Sequence, residues 1–137
     1  MTLTGDEKKA LSEYRIRKAR SLYDDALFNL NGGRYATAVN RGYYAVLAAS
    51  RALLILKGID PETHSGCKTM LSLHFVKTGL LSRELIEDFK TLLARRTDLD
   101  YGDFEEIDSE KAGDSINRAE KFISNAEEIR KALINEM

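Results

Sequence analysis

The chain has 137 residues, with 21 Lys and Arg against 22 Asp and Glu and a formal net charge of −1. That balance excludes a globally basic nucleic-acid binder and an acidic tail protein, while leaving room for a local basic patch. A hydrophobic fraction of 43% is ample for a core, so one folded domain over 1–137 is expected.

Cys67 is the one cysteine, which excludes an intramolecular disulfide and a cysteine-based zinc cluster. No apolar run reaches the roughly 20 residues that cross a bilayer. The N-terminal segment carries acids and has no apolar stretch of the kind a signal peptide needs. These features predict a soluble protein of the reducing cytoplasm, with no membrane association.

Proline occurs once, at Pro61, and tryptophan not at all, so the main helix breaker is nearly missing. Apolar residues recur at three- and four-residue steps from about Asp6 to Leu30 (Leu11, Tyr14, Ala19, Leu22, Tyr23, Ala26), which predicts an amphipathic helix. Thr4 and Glu7 have capping-box spacing at its start, and Asn31-Gly32-Gly33 ends it. A second helix is expected from about Arg34 to Lys57. It is apolar on nearly every side, so it should be central or have one face in a dimer interface.

Asp60-Pro61 reads equally as a turn or as the cap and first residue of a helix. Met70, Leu71, Leu73, Phe75 and Val76 suggest one short helix between Thr63 and Gly79. A fourth helix is expected from about Ser82 to Leu99, with Leu85, Ile86, Phe89, Leu92 and Leu93 on one side. The stretch from Asp100 to Ile107 reads as a loop. A last helix from about Asp108 to Asn135 carries Ala112, Ala119, Ala126 and Leu133 at seven-residue intervals, a bundle-like spacing. No strand pattern appears. The predicted fold class is all-α, an up-and-down bundle of four long helices plus a short one.

Two stretches could carry chemistry. Asn40-Arg41-Gly42-Tyr43-Tyr44 places polar groups on an otherwise apolar helix, where they must find partners or lie at an interface. A buried network tying helices together is one reading, and a ligand cleft is the other. In Arg95-Arg96-Thr97-Asp98-Leu99-Asp100-Tyr101, the spacing of Arg96 and Asp100 suits a simple intrahelical ion pair. It also suits a cluster that grips a phosphate with a guanidinium beside a carboxylate and a phenol.

His64 and His74 have no partner pattern and read as surface or partly buried side chains, and Cys67 reads as a packing residue. No metal site and no cofactor motif are expected.

Taken in order, NGGRYATAVNRGYYAVLAASRALL, GIDPETHSG, HFVKTGLLSREL and RRTDLDYGDF resemble the HEPN domain family over nearly the whole chain. The resemblance implies a helical bundle that pairs as a symmetric homodimer. In many HEPN proteins the dimer cleft is a metal-independent ribonuclease site, built from an Arg and a following His together with a polar residue of the second helix. Many are toxins held in check by a small nucleotidyltransferase of the MNT type, and others bind nucleotides or RNA without cutting.

Arg96 matches the motif arginine and Asn40 the polar residue. No histidine follows Arg96, where Asp100 and Tyr101 stand instead. The resemblance therefore implies a nucleotide- or RNA-phosphate-binding module of a toxin–antitoxin-like pair, with Asn40, Arg41, Tyr44 and Arg96 as ligand-binding residues. Tyr101 is the candidate acceptor of AMP from an MNT-type partner. One alternative is a ribonuclease toxin using Arg96, Asp100 and Tyr101 as catalytic residues. Another is a structural interaction domain whose polar groups serve an interface.

Overall fold

The computed structural model describes residues 2–101 and 106–137, and of Tyr101 its backbone only. Five helices follow one another: α1 (Gly5–Asn31), α2 (Tyr35–Leu56), α3 (His64–Leu71), α4 (Arg83–Tyr101) and α5 (Ser109–Asn135). α3 runs into a π-helical turn, Ser72–Val76. The expected bundle of four long helices and a short one is the architecture found.

Local signals set most of the boundaries. The Thr4 hydroxyl accepts from the Glu7 amide while the Glu7 carboxylate accepts from the Thr4 amide, completing the capping box. At the other end of α1, Gly33 takes a φ of +76°, which the sharp reversal into α2 requires and which a side chain would strain.

One open alternative is decided and two expectations are adjusted. Asp60-Pro61 precedes α3 without opening it: Thr63 caps the helix, its hydroxyl accepting from the Gly66 amide at 2.9 Å. The expected short helix is present, with its end wound as a π turn. α4 continues through Asp100 to Tyr101, because Arg96 and Asp100 pair across one helical turn and no breaker intervenes. Residues 102–105 of the expected loop lie outside the described part.

α2 is the central element, buried from Ala38 to Leu56 at fifteen of its positions by this chain alone. Ser12 of α1 meets Ala52, while Ala26 and Ala38 share a cluster, so α1 runs antiparallel along α2. α5 covers another side of α2 through Ala112, Ile116, Ala119, Phe122, Ile123 and Ala126, the face that the seven-residue spacing predicted. Leu85, Ile86, Phe89 and Leu92 seat α4 on the same core.

Buried polar groups tie these layers together. The Ser12 hydroxyl donates to the Ala52 carbonyl at 2.7 Å and accepts from Arg130 Nε at 2.8 Å, linking α1, α2 and α5. Arg118 reaches from α5 to the carboxylate of Asp88, a residue 1% exposed on α4.

Candidate functional site

The two stretches singled out in the sequence meet where α4 crosses α2. Arg96 Nη2 donates to the Tyr44 hydroxyl at 3.0 Å. Arg96 Nε lies 2.9 Å from Asp100 Oδ2, off the N–H axis, so the contact is an ion pair rather than a hydrogen bond. The guanidinium carbon stands 5.6 Å from the Tyr44 ring centroid and 5.9 Å from that of Tyr43, within cation–π range of both. Helix spacing explains the arrangement. Tyr43 and Tyr44 are adjacent on α2, so one points into the core while the other reaches its edge. Tyr43 is fully buried, and its hydroxyl has no hydrogen-bond partner among the described residues.

Arg95 faces the opposite way. Its Nη1 donates to Asp114 Oδ2 at 2.7 Å and to the Ser115 hydroxyl at 2.8 Å, so it joins α4 to α5. Neighbouring arginines thus hold different posts, one in a helix seam and one beside an aromatic pair.

The other predicted site residues are near but separate. Asn40 and Arg41 line a shallow groove of about 390 Å³ with Ala36, Thr37, Leu99 and Asp100. Asp100 therefore joins this groove to Arg96. Arg41 is exposed, with no ion pair among the described residues. Tyr101 closes α4, and its side chain lies outside the described part.

One residue of the cluster is not legible in the sequence. His64, at the first position of α3, has its ring centroid 5.5 Å from Tyr43 and 5.9 Å from Tyr44. Burial, and then the charges of Arg96 and Arg51, hold its imidazole below the ordinary pKa of 6.5. Gly66 fixes this position, since a Cβ there would stand 2.7 Å from the Thr63 hydroxyl that starts the helix. Nothing in the spacing of His64 and Arg96 signals that both pack against Tyr43 and Tyr44. It follows from the docking of α3 between α2 and α4.

Cys67 is buried, and its thiol is pushed up to about 11 by that burial, as a packing residue's would be. Among the described residues, no group of three or more His, Cys, Asp or Glu side chains is placed to hold a metal. Among them too, no helix is long and apolar enough to cross a membrane.

Comparisons with known proteins bear on the family and the fold. A sequence model of the HEPN domain matches residues 12–129. The chain belongs to the HEPN domain family. It is 37% identical over 124 residues to a Thermotoga maritima protein described as a UPF0332 protein, covering 90% of this chain and 94% of that one. It is 32% identical over 112 residues to "Putative toxin MJ0142" of Methanocaldococcus jannaschii, covering 82% and 76% of the two chains. The HEPN bundle also superposes on the crystal structure of TT1696 from Thermus thermophilus with a TM-score of 0.74. That match covers 86% of this chain and 97% of the other at 22% identity, a likeness of fold.

Proposed function

We propose that this HEPN chain binds RNA or nucleotide phosphate beside Arg96, as the toxin-like member of a pair with an MNT-type nucleotidyltransferase. It acts as a homodimer, and Tyr101 is the acceptor if the partner transfers AMP. The relatives described as toxins support the biological setting.

The observation that carries the chemistry is the state of Arg96. Its side chain is 21% exposed, held in place by Tyr44 and Asp100 and backed by two aromatic rings. A guanidinium fixed in this way meets an anionic oxygen without first being ordered. Arg41 and Asn40, across Asp100, extend the polar surface.

The test is a titration of the purified protein with single-stranded RNA and with a mononucleotide at stated salt. Arg96→Ala is expected to weaken both by at least about tenfold, the usual cost of losing a charge-assisted contact. Unchanged affinity in that variant would sink the proposal.

A second reading, metal-independent RNA cleavage, gains support from His64. Held below its ordinary pKa, the imidazole is neutral at pH 7 and competent as a base. In such a step the 2′-oxygen bonds to phosphorus as His64 takes its proton. The bond to the 5′-oxygen breaks, and that oxygen leaves with a proton from a second donor. Tyr44 is the hydroxyl beside His64 and Arg96, and Arg96 offsets the charge on phosphorus. Products ending in 2′,3′-cyclic phosphate, lost in His64→Gln, are expected on this reading. Intact RNA after long incubation with concentrated wild type would remove it.

A further inference from the structure

A second groove opens on the other side of Tyr44. It lies between α1 and α2, has a volume of about 290 Å³, and is walled by Tyr14, Arg15, Lys18, Tyr44 and Arg51 over a floor that includes Leu22 and Leu47. Three cations and two phenols line it, with no carboxylate among the described lining residues. In a chain whose charges nearly cancel, this is a local excess of one sign.

The cations differ in what holds them. Arg15 donates through Nη1 and Nη2 to Asp60 at 3.1 and 3.3 Å, and reaches the Arg51 carbonyl at 3.4 Å. Arg51 has no ion pair among the described residues, and its buried Nε has no hydrogen-bond partner. Lys18 is exposed and likewise has no ion pair among the described residues. Tyr14 is 59% exposed, so its ring presents a free face at the mouth.

An exposed aromatic face beside two cations, Lys18 and Arg51, that have no counter-charge among the described residues suits a ligand carrying both a planar ring and a phosphate. An acidic peptide would satisfy the cations but leave the rings without a stacking partner. The location matters as much as the lining. Tyr44 is a wall of this groove and also the hydrogen-bond acceptor of Arg96, so an occupant of the groove borders whatever Arg96 holds.

We propose that the α1–α2 groove is a second nucleotide subsite for single-stranded RNA, next to the one at Arg96. The phosphate is held by Lys18 and Arg51, and a base lies against Tyr14. The inference rests on the reading of Arg96 given above and deepens it: the ligand is a strand of two or more nucleotides rather than a mononucleotide.

The experiment is a fluorescence-anisotropy titration of the full chain with labelled oligouridylates, from the dinucleotide upward, with unlabelled UMP as competitor. Lys18→Ala and Tyr14→Ser are surface changes that leave the core intact, and sedimentation follows the oligomeric state of each. The oligonucleotides are expected to bind at least about tenfold more tightly than UMP, a gain that one stacked base can supply. Tyr14→Ser should remove about tenfold of oligonucleotide affinity. Lys18→Ala should weaken oligonucleotide binding and lower its salt slope by about one. UMP binding should weaken at least about tenfold in Arg96→Ala.

If both groove variants bind every oligonucleotide as the wild type does, while Arg96→Ala does not, the subsite is refuted and the Arg96 reading stands. If Arg96→Ala binds normally, that reading fails. Polyglutamate competing as well as oligouridylate of equal charge would overturn RNA as the occupant. So would dissociation of an oligomer by Tyr14→Ser, which would make the groove a subunit contact.

Discussion

The arginines of this bundle fall into two populations that composition does not distinguish. Along α5 they are enclosed by acids. Arg20 of α1 pairs with Glu120 at 2.7 Å and also with Glu127 and Ser124. Arg118 joins Asp88 and Asp114, both at 2.8 Å, and Arg95 joins Asp114 from the other side. Across the α1–α2–α4 face, where Arg15 pairs with Asp60, three cations lack such partners. Arg51, Arg41 and Lys18 have no ion pair among the described residues, and Arg96 shares one with a carboxylate on its own helix. The first population holds helices together and is already satisfied. The second is not neutralised by the described residues, and on the proposed reading its charge meets a ligand.

The contrast breaks most visibly in stability. Arg118→Met strands the buried carboxylate of Asp88 with Lys121 alone, at 2.9 Å. A loss of about 3 kcal/mol, seen as a lower urea midpoint, is expected because a buried charge loses a partner. RNA affinity should not change. Arg20→Met removes contacts to three partners on α5 but opens onto solvent, so about 1–2 kcal/mol is expected in the same measurement. Arg41→Ala, on the other face, should leave the midpoint within about 0.5 kcal/mol of wild type while weakening RNA binding. If Arg41→Ala destabilised the fold as much as Arg20→Met, the division into two populations would fail.

The smallest effect concerns acid. The folded protein keeps the His64 imidazole below its ordinary value of 6.5, so the unfolded chain takes up that proton first. Its contribution to stability is therefore complete above pH 6.5 and declines as the pH falls below it. His64→Gln should flatten that part of the stability profile. An unchanged slope between pH 6.5 and 5 would show that the imidazole is not shielded as its position against Tyr43 and Tyr44 implies.

Much of the helical frame is legible locally. The capping box at Thr4, the glycine reversal at Gly33 and the apolar faces of α4 and α5 each depend on residues within a few turns. The points of disagreement are local conflicts. Pro61 suits a helix start, but Thr63 with Gly66 supplies the better cap. Gly102 and the acids beyond it suit a loop from Asp100, but the Arg96–Asp100 pair carries the helix through that residue. The site is half legible: Tyr44, Arg96 and Asp100 do meet, while Asn40 and Arg41 lie in the adjoining groove. His64 has no sequence neighbour that points to its role, and the separation of 33 residues from Lys18 to Arg51 hides their shared groove.

Helices, the buried face of each and the family follow from the order of residues, because a 3.6-residue period and capping chemistry are short-range properties. Which cations are neutralised does not follow from that order. It depends on the register in which α1, α4 and α5 dock on α2, which sets Arg20 against Glu120 and, among the described residues, leaves Arg51 and Lys18 without an acid. The net charge of −1 is a sum over both populations. Packing in three dimensions lets the acids cancel one of them and leaves the other facing its grooves.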